Sequence, residues 1–315
     1  MLGIAIINYN TYKKTIDCID SIRKYTTIPY RIYLLDNASQ NRSVAILEEA
    51  YQSSVDVVLI ASKENLGYAR GNNLCIEYMV NDGCDYCLIS NNDILCHDGT
   101  IDKLYECLVN NSEYAIVAPK IKGIDRKFQD SFKIKKSSKI EYLQQNTYFA
   151  NFFKKKNEER KAEHNRITNF SEVYWVSGAF FMCNLEYMQQ IGYFDSYTFL
   201  FYEESILSCK CKKAKYKIGY LPSIEVTHYH AASTGGGVNI VTKLANFRSE
   251  LYYWKVYENA GRAFLRLLYL IRLLEVTYTF AKKKSMKEII CFYRDGRKVL
   301  CDTEKLKSRK EQRLC

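Results

Sequence analysis

A chain of 315 residues with 47% hydrophobic and 26% charged residues can bury a full core, and holds one large domain or one domain with a substantial appendage. The formal charge of +11 is uneven: residues 1–240 hold 28 Lys+Arg against 27 Asp+Glu, whereas residues 241–315 hold 18 against 8. The excess in the tail calls for an anionic partner, nucleic acid or an acidic membrane surface, or else marks a solvated helical face. No basic segment followed by an apolar core and cleavage site opens the sequence, so the expectation is a chain not marked for export. Twelve irregularly spaced cysteines fit a reducing compartment and exclude a small disulfide scaffold. Cys84-x-x-Cys87 and Cys209-x-Cys211 could supply four thiolates to zinc, but their flanks read as strand and helix rather than zinc knuckles.

In chain order, Leu2–Asn8 is an apolar run, and Thr11–Tyr25 follows with Ile16, Ile19 and Ile22 at helical spacing, opening a βα unit. Further strands are predicted at Arg31–Leu35, Val55–Ala61, Tyr86–Ser90 and Tyr114–Ala118, alternating with helices at Ser43–Tyr51, Gly67–Val80 and Gly99–Val109. That alternation predicts an α/β fold, a mainly parallel Rossmann-like sheet flanked by helices. Right-handed crossovers should gather the strand-end loops on one edge. Lys120–Glu172 changes character and reads as an insertion or lid, mobile around Lys154–Lys161. Tyr174–Met182 is strand-like around Gly178, and Asn184 caps a helix over Leu185–Ile191 closed by Gly192. A helix opening on Glu203–Glu204 runs through Lys213, and two short strands, Lys217–Leu221 and Ile224–Thr227, lead to His228.

Chemistry collects at the strand ends: Asn8-Tyr9-Asn10, Asp36-Asn37, Asn65-Leu66-Gly67 and Asn91-Asn92-Asp93. Turn formation accounts for Asn and Asp in loops, but carboxylates and amides recurring on one edge can also hold the ribose and base edges of a nucleotide. Neither a G-x-G-x-x-G after the first strand nor a P-loop occurs, so dinucleotide and P-loop readings lose their support. Tyr86–Ile94 reads as a buried strand stopping on a polar cluster, the position where parallel sheets bind ligands. A hard cation carrying a diphosphate needs one or two carboxylates besides the phosphate oxygens, and Asp93 is placed to supply one. Glu203 and Glu204 follow an aromatic run at a helix start. The macrodipole there favours the ionised form, and Phe201, Tyr202 and Ile206 could tune a carboxylate for proton transfer. First-turn helix chemistry explains the pair equally well. His228, taken alone, is an ordinary strand-end histidine.

Together, and in this order, these segments resemble the family 2 glycosyltransferases of GT-A fold, most closely their bacterial rhamnosyltransferase-like branch. The matching segments are Ile7–Asn10, Asp36–Ser39, Asn65–Asn73, Ser90–Asp93, Ser177–Phe180, Gly192–Asp195, Phe201–Glu204 and Pro222 through Val226 to His228. The resemblance implies transfer of one sugar from a nucleotide-diphosphate sugar to an acceptor hydroxyl, with inversion at the anomeric carbon. It places Asn8, Asn10, Asp36, Asn37, Asn65, Gly67, Arg70, Asn73 and Asn92 at the nucleotide, and Asp93 and His228 at Mg²⁺ or Mn²⁺. Trp175, Gly178, Ala179 and Asp195 fall to the donor or acceptor sugar, and Glu204 to the general base, with Glu203 as its alternate. Two departures stand out. The family's usual Glu-Asp is Glu203-Glu204 here, and Asn91 replaces the first acid of the metal motif, so weak metal binding or an inactive homologue are readings to test.

The expected organisation is a catalytic domain over residues 1–240 and a basic helical C-terminal extension over 241–315. Within the first, residues 1–119 form the nucleotide-binding half, 120–172 the insertion and 173–240 the acceptor half. Thr234–Gly237 reads as a flexible break that folds over the donor, followed by helices at Lys243–Tyr257 and Ala263–Ala281. In the second helix Phe264, Leu267, Leu268, Ile271 and Leu274 form a stripe, interrupted by Arg266, Arg272 and Glu275 in a way that argues against a spanning helix. An interfacial helix with Lys282–Lys284 and Lys287 at anionic headgroups is one reading; packing on the catalytic domain or in a homodimer is the other. No nucleic acid partner is expected. The expected partners are a dTDP- or UDP-sugar, rhamnose first, and a glycan or lipid-linked acceptor in surface polysaccharide synthesis, met in the cytoplasm or at the inner face of the membrane. Competing readings are a nucleotidyltransferase, for which Asn8–Thr11 lacks the triphosphate-loop chemistry, and a non-catalytic membrane-associated binding protein.

Overall fold

The computed structural model describes residues 1–129, 131–146, 167–229 and 239–307. The chain divides into two compact units. Met1–Lys135, Ile167–Ser196 and Leu207–Gly236 form the first; Lys136–Arg166, Tyr197–Ile206 and Gly237–Cys315 form the second. Two segments that precede residue 240 thus group with the C-terminal part.

The first unit is built on β1 (Leu2–Asn8), β2 (Tyr30–Asp36), β3 (Val57–Ala61) and β4 (Tyr86–Asn91), connected by α1 (Tyr12–Tyr25), α2 (Ser43–Tyr51) and α3 (Gly67–Asn81). β1 is apolar on both faces, as a strand covered by helices on both sides must be. Ile4 and Ile6 join Ile32, Leu34 and Leu88 in one core layer. Ala5 joins Tyr33, Leu35 and Ile89 in the other. β2 and β4 flank β1 in parallel, with Asn8 opposite Asp36 and Ile7 opposite Asn91. Chain order reverses at β1, and such a switch point opens a crevice at the carboxyl ends of the strands.

The sheet continues through β5 (Ile94–Leu95), β6 (Tyr114–Lys122), β8 (Ser171–Val173), β10 (Phe180–Asn184) and β11 (Lys217–His228), with α4 (Thr100–Asn110) and α6 (Leu185–Gln190) beside it. Its order is β3-β2-β1-β4-β10-β6-β11-β5, with β8 also on β11, while β7 (Phe132–Lys133) and β9 (Trp175–Val176) form a separate ribbon. β10 runs antiparallel between β4 and β6, so the mainly parallel sheet carries antiparallel insertions. As the sequence indicates, Asn184 caps α6 by accepting the Tyr187 amide at 3.2 Å, and Gly192 ends it with φ 75°.

Two predicted strands are one: β11 runs unbroken from Lys217 to His228, with a register shift against β6 between Leu221 and Glu225. Pro222 marks that irregularity because it has no amide to give the ladder. β6 extends four residues beyond the predicted Ala118, into the expected insertion. The stretch Lys154–Lys161 and the glycine break Thr234–Gly237 lie outside the described residues.

The second unit contains α5 (Lys139–Asn146), the first turn of α7 (Glu203–Lys213), α8 (Ile240–Tyr252) with a π-helical continuation Tyr253–Tyr257, α9 (Arg262–Lys282) and α10 (Met286–Lys305). α10 is an addition to the predicted elements. α9 buries Leu265, Leu268, Tyr269, Ile271, Val276 and Phe280, leaving Leu267 exposed and Leu274 69% exposed. The expected stripe is therefore split, because α10 sets which face turns inward: its Phe292 ring lies parallel to that of Tyr269. Among the described residues no helix is long and apolar enough to cross a membrane.

Candidate active site at the carboxyl edge of the sheet

The Asn and Asp residues of the strand ends form a buried lattice. Asn8 and Asp36 are both 0% exposed. The Asn8 amide donates to Asp36 Oδ2 at 2.7 Å and to Ser39 Oγ at 3.2 Å, while its Oδ1 accepts from the Thr15 hydroxyl at 2.8 Å. Asp36 is closed further by the Ser39 amide at 2.9 Å and hydroxyl at 2.8 Å. Asn37 accepts the Leu66 amide at 2.8 Å and donates to Asn65 Oδ1 at 3.1 Å and to the Gly67 carbonyl at 3.3 Å. Asn92 donates to Thr11 Oγ1 at 2.7 Å and Thr15 Oγ1 at 2.8 Å. Asn10, with φ 60°, accepts the Gln40 amide at 2.7 Å and carries its own amide to Ser39 Oγ at 2.8 Å. These side chains hold one another. Buried amides need such partners, and their immediate work is to fix the loops whose backbones frame the crevice.

Asp93 follows directly from β4 and is 4% exposed. Its Oδ1 lies 3.1 Å from His228 Nε2, at the end of β11. Register brings them together, since His228 pairs with Ile94 and the Tyr229 amide donates to the Asp93 carbonyl at 3.0 Å. Gln129 donates from Nε2 to the His228 carbonyl at 3.3 Å, which orients its amide so that Oε1 meets His228 Nδ1 at 2.9 Å. Assigned this way, Nδ1 carries the proton. Nε2 and the Asp93 carboxylate then face one another as two acceptors, which a proton or a cation between them resolves. Burial raises the Asp93 carboxyl, but the hydrogen bond and attraction of His228, with Lys14 behind, outweigh it and keep the group below its ordinary value.

A carboxylate oxygen and an imidazole nitrogen suit Mn²⁺ or Mg²⁺ when phosphate oxygens and water complete the shell. Among the described residues no group of three or more His, Cys, Asp or Glu could hold a metal ion by itself.

Of the other expected contacts, Gly178 and Ala179 lie at this edge. The Gly178 carbonyl accepts the Tyr68 hydroxyl at 2.6 Å and the Ala179 carbonyl accepts the Asn91 amide at 2.8 Å. Trp175 lies on the β7–β9 ribbon beneath the Lys133 ammonium, 5.3 Å from its ring. Arg70 is exposed and pairs with Glu64 at 2.7 Å. Asn73 points elsewhere, exchanging hydrogen bonds with both backbone groups of Phe194, at 3.0 and 3.1 Å, next to Asp195. Sequence reasoning missed Thr15, Ser39, Tyr68 and Gln129. Thr11 and Thr15 at helical i, i+4 spacing beside the Asn8 loop offered a signal for the first; Gln129 offered none.

Glu203 and Glu204 begin α7 in the second unit. Glu203 is 3% exposed, receives a hydrogen bond from Thr198, and has no partner for Oε1 among the described residues. Burial, and then the charge of Glu204 beside it, push its carboxyl up to about 8. The residues just ahead, Phe201 and Tyr202, both have positive φ, 73° and 70°.

A doubly wound sheet with antiparallel insertions, ending in an acid and a histidine at the switch-point edge, defines a GT-A glycosyltransferase fold. Residues 3–184 match Glycosyl transferase family 2, and the chain belongs to that family. An N-acetylglucosaminyl-diphospho-decaprenol L-rhamnosyltransferase of Mycobacterium tuberculosis is 25% identical over 247 residues, 75% of this chain and 78% of the relative. Among solved structures, GalNAc-T7 with UDP, GalNAc and Mn²⁺ superposes with TM-score 0.59 at 12% identity, over 81% of this chain and 48% of that one. Staphylococcus aureus TarS gives TM-score 0.51 at 12% identity, over 80% and 39%. The chain thus spans about half or less of these two structures, and the likeness is one of fold.

Proposed function

We propose that this chain is an inverting glycosyltransferase that moves a sugar, rhamnose as the first candidate, from a dTDP- or UDP-sugar to a hydroxyl of a lipid-linked glycan. The observation that carries the reading is the buried Asp93–His228 pair at the carboxyl edge of the sheet, in a chain whose family transfers sugars. Asp93 and His228 would hold Mg²⁺ or Mn²⁺ with the donor diphosphate, and the ion, when bound, would supply Lewis-acid stabilisation of that leaving group. The lattice of Asn8, Asp36, Asn37 and Asn92 fixes the loops around the base and ribose, while Asn10, Asn65, Gly67 and Arg70 belong to that side and Asn73 is taken up by the Phe194 backbone. Trp175, Gly178, Ala179 and Asp195 serve the sugars.

Glu204 takes the proton of the acceptor hydroxyl as its oxygen attacks the anomeric carbon and the bond to the diphosphate breaks. A single displacement inverts that carbon. Glu203, its carboxyl raised by burial and by the charge of Glu204, stands beside it as the alternate.

The acceptor to try first is an N-acetylglucosaminyl-diphospho-polyprenol, following the mycobacterial relative. The chain meets it from the cytoplasmic face, with the exposed apolar residues of α9 and α10 and the tail's positive charge against anionic lipid. A panel of dTDP and UDP with and without Mn²⁺, read by melting temperature, tests the donor site, because a ligand of the native state raises it. The expected result is a metal-dependent rise with one of them that Asp93→Asn loses. No rise with any nucleotide, and no transfer from any nucleotide sugar, overturns the reading.

A further inference from the structure

Phe201 and Tyr202, immediately before Glu203, occupy the left-handed region in succession. For bulky side chains that region is strained, and it persists only where the surroundings over-determine it. The second unit supplies that determination. The Tyr202 hydroxyl is hydrogen-bonded to the Tyr142 hydroxyl of α5, which donates to Glu250 Oε1 of α8. Glu250 is 1% exposed and is gripped by Arg272 of α9 through Nε and Nη2, both at 2.9 Å. Arg272 Nη2 also reaches the Tyr142 oxygen at 3.2 Å, and its Nη1 holds Glu275 at 2.6 Å. Around this chain of bonds, Ser249 donates to the Leu200 carbonyl at 3.0 Å, and the Tyr197 ring stacks on Tyr252 with centroids 3.9 Å apart.

A charge pair buried this deeply is poor value for stability alone, since desolvation offsets much of its attraction. What it provides is direction: a forked guanidinium accepts one orientation of Glu250, Glu250 fixes Tyr142, and Tyr142 fixes Tyr202. Burial raises both phenols, so they remain donors across the working range.

We propose that Arg272, Glu250 and Tyr142 are positioning residues that hold Tyr202 in its left-handed conformation and thereby set the aim of the adjoining Glu203–Glu204 pair. The inference rests on Glu204 as the base. It makes the C-terminal helices part of acceptor activation instead of a detachable anchor.

The experiment compares Tyr142→Phe, Arg272→Lys and Glu204→Gln with the parent in steady-state transfer from the donor that turns over, alongside melting curves and nucleoside-diphosphate binding. Tyr142→Phe and Arg272→Lys are expected to lower kcat by about 10–100-fold, as misplacement near 1 Å does, with donor KM and the nucleotide-induced melting shift unchanged. Glu204→Gln inactive with both positioning variants at parental kcat overturns the positioning role alone; Glu204→Gln fully active overturns the base assignment and this inference with it. Should Arg272→Lys fail to fold, Tyr142→Phe, which removes one oxygen, decides. A crystal structure of Tyr142→Phe reads the same point without turnover: Tyr202 relaxing from φ near 70° supports the proposal, and Tyr202 unmoved overturns it.

Discussion

At the scale of single residues, polar side chains at the sheet edge divide into those that hold the loops and those left to chemistry. Asn8 and Asp36 stand out in the sequence because they end strands, yet both are spent on each other and on Thr15 and Ser39. Spacing cannot separate the two uses, because a buried amide lattice and a nucleotide pocket draw on the same residue types. Glu203 is different: its burial makes it testable through pH. An exposed glutamate releases its proton near 4.5, whereas Glu203 keeps its own up to about 8. The folded form binds the proton more tightly, so the stability it contributes is complete below about pH 4.5 and is lost as pH rises towards 8. Glu203→Gln, neutral throughout, should therefore gain melting temperature over the parent progressively between about pH 5 and pH 8, by about 2–4 °C for each kcal/mol regained. A difference that stays flat across that range means the carboxyl is ionised in place.

Among the elements, those with a strong period were legible and those shaped by partners were not. The apolar run of β1, the helical spacing in α1 and the Asn184 cap each declared themselves. α9 did not, since apolar residues lie on more than one of its faces and leave the inward one to be chosen by α8 and α10. Arg272, which the sequence pattern treats as an interruption, is turned inward as a partner of Glu250. β11 was divided in two at Pro222, although the strand resumes beyond its bulge. Within β11, Gly219 is packed so closely that a Cβ would lie 2.5 Å from Phe170 Cε2 and 3.1 Å from Tyr114 Cδ1. Gly219→Ala should lower stability by about 1–3 kcal/mol, the usual cost of overpacking, in a denaturant melt, and Phe170→Leu in the same chain should recover part of it. Equal stability of Gly219→Ala and the parent would mean that the ring moves aside freely.

For the whole molecule, charge distribution carries the argument. Leu270 and Leu274 on α9 and Met286 and Ile290 on α10 are 55–69% exposed, in a tail where cations outnumber anions 18 to 8. Cosedimentation with vesicles should need anionic lipid, weaken as salt rises from about 0.05 to 0.5 M through screening, and fall about tenfold with Lys282, Lys283, Lys284 and Lys287 changed together to Gln. Undiminished binding to neutral vesicles would point to apolar insertion alone, while no binding together with a concentration-dependent dimer would assign this face to a second copy.

The bulge in β11 bears on how the end of that strand is aimed at the site. Leu221 and Glu225 sit opposite neighbouring residues of β6, so three residues are looped out between them. Strand side chains alternate and cross-strand partners share a face, so the register resumed after the bulge decides which face each later side chain takes. His228 meets Asp93 because the ladder resumes with Glu225 opposite Lys120 and carries the strand on to pair His228 with Ile94. Deleting exposed Ser223 should therefore leave the response to Mn²⁺ intact wherever Glu225–Thr227 keep Lys120–Lys122 as partners, and a lost response would mean that the ladder has slipped by one residue and turned the imidazole to the other face: a frameshift in three dimensions.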